Sequence, residues 1–373
     1  MNIRDCRNDC SGCSACYSVC PKHAIHMESD QHGFMYPIIS EDMCVDCGLC
    51  IKKCPVAEKT EHTSITAFYG WNNDEAVRMR SSSGGLFSAL ADYVLSTNGV
   101  VYGAVFDSKT KNVEYRGTDE VTLDDIRRSK YTECRTNDVF IKVRNALVQG
   151  KMVLFCGTPC HVAGLVNYLG KQYDNLITCD FVCGGAASPA FFKQHLLKLE
   201  IKCKSRVSGV NFRDKKMGWK RMLFTAEFEN GRKKSTLSYF DSYFNGFIEG
   251  IIKRENCFSC KFSADHYADI TIADYWGYLK AGVPYDARGI SMIIANTEHG
   301  LKLIQGIGQN VTLNEIGLER TKYTIQPRVF SQKKYDCRST FFKLAQSVGY
   351  EGAAKASYMK SPLKDLILSY IKR

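Results

Sequence analysis

Apolar residues fall into short runs separated by polar, glycine-rich breaks, and the period of each run predicts its element. Residues 100–106 (VVYGAVF) form an unbroken apolar run of strand length, and 151–156 and 176–182 are two more. Leu86, Phe87, Leu90, Ala91, Val94 and Leu95 share one stripe of a helix over 84–96 that stops near Gly99. A second helix is predicted over 161–169, after the turn Gly157-Thr158-Pro159. Strand, helix and strand at this spacing predict βαβ units. Candidate strands at 207–212, 222–228, 270–273 and 292–295 follow, more mixed in pattern. The expected fold class is therefore α/β, with a mixed, largely parallel sheet. The tail, 361–373, reads as an amphipathic basic helix that docks on the main domain.

Ahead of the first strand the texture differs. Eighteen of the 373 residues are cysteine, and nine precede Pro55. Eight of those nine form a repeat: Cys10-x2-Cys13-x2-Cys16-x3-Cys20-Pro21, then Cys44-x2-Cys47-x2-Cys50-x3-Cys54-Pro55. This is the run that binds two [4Fe–4S] clusters in bacterial ferredoxins, the fourth cysteine of each copy serving the other cluster. The expected sets are Cys10, Cys13, Cys16 and Cys54, and Cys44, Cys47, Cys50 and Cys20. Structural zinc favours two knuckles separated by a loop, and disulfides between such close neighbours are strained. Cys6-x3-Cys10-x2-Cys13 also has the spacing of radical S-adenosylmethionine enzymes, but that reading leaves the second copy unexplained.

No apolar stretch approaches the ~20 residues of a membrane span, and the N-terminus has no signal core, so a cytoplasmic protein without an integral membrane span is expected. There is no Walker loop and no Gly-x-Gly-x-x-Gly after a strand. Ser81-Ser82-Ser83-Gly84-Gly85, before a helix, could cradle a phosphate on hydroxyls and backbone amides. An ordinary serine-rich helix cap reads the same residues equally well. The formal charge is +11, and residues 201–261 hold 14 Lys+Arg against 6 Asp+Glu. No nucleic-acid motif accompanies them, so no nucleic-acid partner is expected. The strip is a solvated face, or a dock for an acidic ferredoxin or other redox protein.

Several segments together are similar to a known family: Ser82-Ser83-Gly84-Gly85, Ser129-Lys130-Tyr131, Gly157-Thr158-Pro159-Cys160, Cys183-Gly184-Gly185, Asn211-Phe212-Arg213, Cys257-x2-Cys260 and residues 269–277 (DITIADYWG). They resemble, in order, the beta subunits of coenzyme F420 (deazaflavin) hydrogenases and dehydrogenases, over roughly 67–324. The resemblance implies a bound FAD that passes electrons between iron–sulfur clusters and a hydride-exchanging substrate. It also implies that Ser82, Ser83, Gly84 and Gly85 hold flavin phosphates. Lys130, Tyr131, Gly157 and Thr158 would line the flavin site, with Asn211 and Arg213 nearby. The family's Cys-His-Gly is Cys183-Gly184-Gly185 here, and its Gly-Thr-Pro-Cys-Gln ends in His161, the one candidate catalytic group.

The implied organisation is a two-cluster ferredoxin-like domain (1–58), a linker (59–66), an FAD-binding domain (67–335) and a helical extension (336–373). A third [4Fe–4S] cluster is expected on Cys160, Cys183, Cys257 and Cys260. Cys160 and Cys183 each follow a strand of a parallel pair, and Cys257-x2-Cys260 has chelating spacing. Cys134, Cys156, Cys179, Cys203 and Cys337 read as free thiols. The expected function is an iron–sulfur flavoprotein oxidoreductase acting on a small molecule or deazaflavin. Its alternative is an electron-transfer subunit of a larger complex without its own substrate.

Overall fold

The computed structural model describes residue 3 and residues 8–57, 63–263, 267–324 and 332–359. Cys6, the first half of the expected linker (59–62) and the tail helix at 361–373 lie outside the described residues.

The strands in chain order are β1 (Ile25–Ser29), β2 (Met35–Ile39), β3 (Thr66–Asn72), β4 (Val100–Asp107), β5 (Asn112–Gly117), β6 (Cys134–Arg135) and β7 (Val153–Gly157). They continue as β8 (Leu176–Phe181), β9 (Val207–Asp214), β10 (Leu223–Phe228), β11 (Lys233–Leu237), β12 (Ile270–Asp274), β13 (Ser291–Ala295) and β14 (Val311–Ile316). Among the described residues β1 and β2 form a hairpin, β11-β10-β9 a small antiparallel sheet, and the rest one large sheet ordered β14-β3-β13-β12-β8-β7-β4-β5-β6.

The centre of that sheet, β12-β8-β7-β4, is parallel, and antiparallel strands flank it. The expected mixed α/β sheet is therefore present, with its βαβ units in the middle. Helix Leu86–Ser96 crosses between β3 and β4, and helix Pro159–Leu169 between β7 and β8. Because β7 and β8 run in register, with Cys156 opposite Cys179, both deliver their following loops to one edge. The flank strand β3 begins at Thr66, where a linker was expected, and pairs with both β13 and β14. Its alternation of buried and half-buried positions gives a weaker hydrophobic signal than the central runs.

One face of the sheet buries Leu86, Leu90, Val94 and Ile304. The other carries helices Val139–Val148 and Pro159–Leu169, and its core includes Cys13 and Ala15 from the cysteine-rich segment. A second core joins Phe34 of the N-terminal hairpin to Phe191, Phe212, Tyr243, Phe341 and Tyr350. The N-terminal segment is thus wedged between two cores. Helix Gln332–Ser357 runs through the expected boundary at 335/336 and supplies Phe341 to that second core.

Candidate functional site

The two cysteine runs are folded alike. Left-handed backbone recurs at matching places in each copy: Gly12 and Ser14 in the first (φ 73 and 63), Asp46 and Gly48 in the second (φ 48 and 71). Each copy then enters a short helix, Ala15–Val19 or Leu49–Lys52. These reversals wrap three thiols around a small space, and the chain after the fourth cysteine leads away from it. One small cavity is lined by Cys10, Cys13, Cys16 and Cys54, and another by Cys20, Cys44, Cys47 and Cys50. The crossed sets read from the spacing are therefore brought together. The amide of Gly12 donates to Cys10 Sγ at 3.4 Å, and that of Ala24 to Cys20 Sγ at 3.4 Å. Amide-to-sulfur bonds of this kind stabilise thiolate ligands. Burial pushes the Cys13 thiol up to about 11, so a bare thiolate there is costly without a cationic centre. Eight thiols at this density, in two crossed sets of four, fit clusters better than the spaced knuckles of structural zinc.

A far larger cavity, about 270 Å³, opens at the edge of the big sheet. Its lining combines three kinds of group. Ser81, Ser82, Ser83 and Gly85 line it, with Leu86 and Phe87 of the helix that follows. No side chain caps that helix, and Gly85 turns into it at φ 88, so its first amides open onto the cavity. Ser129 donates to Ser82 Oγ through its amide at 2.8 Å and its hydroxyl at 3.2 Å. Phe181, Val182, Ile272 and Ala273 add an apolar wall, together with Tyr131. Cys160, Cys183, Cys257 and Cys260 all line the same space.

These four cysteines come from three loops. Cys160 sits in the first turn of helix Pro159–Leu169, where the helix dipole favours a thiolate, and Thr158 Oγ1 lies 3.3 Å from its sulfur. The amides of Gly185 and Ala186 donate to Cys183 Sγ at 3.3 Å and Cys257 Sγ at 3.4 Å. Burial raises the Cys160 thiol strongly, and Cys183, Cys260 and Cys257 add to it, as expected when four sulfurs share one pocket.

The other expected residues divide. Lys130, Tyr131, Gly157 and Thr158 line the cavity. The Lys130 ammonium, however, is given to the carbonyls of Asp125, Ile126 and Arg127 at 2.7–2.8 Å and closes the preceding short helix. Gly84 stands behind the cradle: a Cβ there would lie 2.5 Å from the Gly70 carbonyl, so β3 and β13 require glycine. Asn211 caps the Arg213 amide at 3.0 Å, away from the cavity. Arg213 is buried one layer back, pairing with Asp274 at 2.7 Å and donating to the Tyr131 hydroxyl at 3.2 Å. It therefore positions two lining residues. His161 lines the cavity but is held from both sides, by Tyr115 Oη at Nδ1 (3.1 Å) and by the Ser11 backbone. Burial lowers its pKa to about 4, so it is neutral near pH 7.

Sequence reading passed over the groups that join the two regions. Arg254 donates to the carbonyls of Cys10 (2.8 Å) and Met35 (2.9 Å) and pairs with Glu133 at 2.7 Å, both side chains buried. The ion pair closes on Gly12, where a Cβ would meet Arg254 and Glu133 at 3.3 and 3.5 Å. Helix Pro159–Leu169 completes the junction. Gly164 packs on Cys13 Sγ, and Cys160 lies four residues earlier, about 6 Å along the axis. Ser11 lines both the large cavity and the Cys10 cavity. The basic strip is not one surface: Arg213, Lys215, Lys253 and Arg254 are buried, and Lys215 Nζ donates to the carbonyls of Arg78 and Arg288 at 2.8 and 2.6 Å.

Comparison with known proteins agrees with this layout. Residues 9–57 match the 4Fe-4S dicluster domain, and residues 150–320 match the C terminus of the beta subunit of coenzyme F420 hydrogenase/dehydrogenase. The chain thus joins an iron–sulfur electron-transfer unit to a domain of hydrogenase and dehydrogenase type. An uncharacterized ferredoxin of Methanocaldococcus jannaschii is 39% identical over 49 residues, which is 13% of this chain and 62% of that protein. A 7Fe ferredoxin of Hydrogenibacillus schlegelii is 41% identical over 44 residues, 12% of this chain and 50% of that one. The chain therefore spans only about half to three-fifths of the length of these curated relatives. A chain from the F420-reducing [NiFe] hydrogenase complex of Methanosarcina barkeri, in a xenon-derivatized structure, superposes with a TM-score of 0.50 at 14% identity. The superposition covers 77% of this chain and 95% of that one, and it shows a shared fold.

Proposed function

We propose that the protein is an iron–sulfur flavoprotein oxidoreductase in which three [4Fe–4S] clusters and one FAD form a single line. The observation that carries this reading is the continuity of the large cavity. A cradle suited to phosphates, an apolar wall and four cysteines share one space, with the Cys10 cavity next to it across Ser11.

In this reading Ser82 and the first amides of helix Leu86–Ser96 hold the flavin phosphates, while the Ser83 hydroxyl is held by the Ile290 carbonyl at 2.9 Å. Tyr131, Gly157, Thr158 and the wall at Phe181–Ala273 bracket the ring. Cys160, Cys183, Cys257 and Cys260 hold the third cluster. Bound flavin supplies the exchange between one-electron and two-electron chemistry that clusters alone lack. The chain's own part is placement. Arg254 and Glu133 fix the Cys10 loop against the sheet, helix Pro159–Leu169 sets the spacing between Cys13 and Cys160, and Arg213 orients Tyr131 and Asp274. Cys47 is exposed whereas Cys13, Cys16 and Cys54 are buried, so electrons enter or leave through the Cys47 cluster. The partner there is a ferredoxin or another redox protein. The substrate is a small molecule or a deazaflavin that meets the open side of the cavity.

Anaerobic purification with flavin and iron quantification tests the cofactors, and titration with reduced ferredoxin, NADH and reduced deazaflavin tests the donor. About one FAD per chain and bleaching of cluster absorbance by one of the three donors are expected. Protein without flavin, or with zinc in place of iron, would contradict the proposal.

A further inference from the structure

Arg128 has strained backbone. Its φ is 76, a left-handed conformation that glycine adopts freely and a side chain with a Cβ does not. Strain of this kind persists where the surroundings impose it, often at binding sites. Arg128 is exposed and lines the large cavity, so it stands at the rim. It directly precedes Ser129, whose amide and hydroxyl both donate to Ser82 of the cradle.

The other cationic side chains of the lining are already committed. Arg127 donates to Ser88 Oγ at 2.9 Å and pairs with Asp124, Lys130 serves three carbonyls, and Arg254 pairs with Glu133. Nearby Arg80 takes the second Asp124 oxygen at 3.1 Å. Among the described residues no hydrogen bond or salt bridge joins the Arg128 guanidinium, although Asp124 and Lys130 lie within range of its charge. A strained arginine beside the Ser82 hydroxyl and a helix start with no side-chain cap matches the planar, bidentate recognition of a phosphate.

We propose that Arg128 is a phosphate-binding residue of this cavity, neutralising the pyrophosphate of the dinucleotide cofactor. This rests on the flavin reading above. Its role is separable from folding because the two have opposite signs.

The test compares wild type with Arg128→Gly, and with Arg128→Asn as a second variant that tolerates left-handed backbone. Binding of FAD and of phosphate-free riboflavin to deflavinated protein is followed by fluorescence quenching, with melting temperature in parallel. Arg128→Gly should bind FAD about tenfold more weakly, the usual cost of losing one charge-assisted contact. Riboflavin affinity should stay within twofold. The melting temperature without flavin should rise by about 1–2 °C as strain is relieved. Equal FAD affinity in wild type and variants would overturn the inference and leave the flavin reading intact. Equal weakening for FAD and riboflavin would overturn it too, since the contact would then be to the ring. Failure of wild type to bind FAD would overturn the flavin reading, and the inference with it.

Discussion

The two copies of the cysteine repeat share their spacing, their left-handed turns and their short helices, yet they occupy unequal surroundings. The Cys10 set lies against the sheet: Cys13 belongs to the core of Phe140 and Phe155, and Gly164 packs on its sulfur. The Cys44 set faces out, with Cys47, Val45 and Met43 exposed. Local sequence therefore determines what each loop can bind, and tertiary packing determines what each bound group can do. In the proposed function the buried copy exchanges electrons inward, and the exposed copy exchanges them with a partner.

The largest expected effect, loss of a whole cluster together with its packing, follows from that inequality. Cys13→Ser should remove its cluster and also loosen the packing on helix Pro159–Leu169, so that stability falls by about 2–4 kcal/mol in anaerobic urea titration. Cys47→Ser should empty only the outer site and leave the urea midpoint of the sheet domain nearly unchanged. Equal losses from the two substitutions would mean that the copies are equivalent after all.

Next comes the ion pair that fastens the inner copy. Glu133→Gln leaves Arg254 buried without its counter-charge and should cost about 3–5 kcal/mol, as broken buried pairs do. Replacing both partners, Arg254→Met with Glu133→Leu, should recover much of that loss in the same titration. If the double variant is as unstable as the single one, the contacts of Arg254 with the Cys10 and Met35 carbonyls matter more than its charge pairing.

A pH-dependent fastening holds the other end of the wedge. His195 is buried between Asp241 (3.0 Å) and Glu351 (3.2 Å), tying helix Pro189–Cys203 to helix Gln332–Ser357. Burial alone would lower its pKa, but the two carboxylates outweigh burial and raise it to about 9. A raised histidine pKa means that the stabilisation is complete below about 6.5 and is lost as pH rises through about 9. The loss is on the order of 3 kcal/mol at most. Stability measured from pH 6 to 9.5 should decline in wild type and stay flatter in His195→Gln. A wild-type profile as flat as that of the variant would show that His195 is not charged in the fold.

The smallest effect concerns the surface. Reversing Lys216 and Lys233, which are exposed on the basic strip, should change the rate of reduction by an acidic ferredoxin less than twofold. Reversing Lys22 and Lys52 beside the exposed copy should slow it severalfold at low salt. The opposite ranking would return docking to the strip.

What could be read from sequence follows the same division. The eight cysteines of the repeat were legible because their spacing is local and their geometry is set within a few residues. The central strands were legible because strands buried on both faces are continuously apolar. Strand β3 gave no strand signal, and its first residue, Thr66, fell in the expected linker, because its pattern is half polar. The Arg254–Glu133 pair was invisible because its partners are 121 residues apart and neither sits in a motif. Arg128 carried no signal because a positive φ at arginine cannot be seen in composition or period. Gly84 looked like a phosphate-binding glycine, and only the approach of the Gly70 carbonyl reveals the packing reason for it.

The most direct test of the central claim is the iron content of anaerobically purified protein, wild type against Cys257→Ala. Three clusters give about twelve irons per chain, and removing a ligand of the third should reduce the count to about eight. About eight irons in both proteins would contradict a cluster on Cys160, Cys183, Cys257 and Cys260, and would break the line from ferredoxin-type module to flavin.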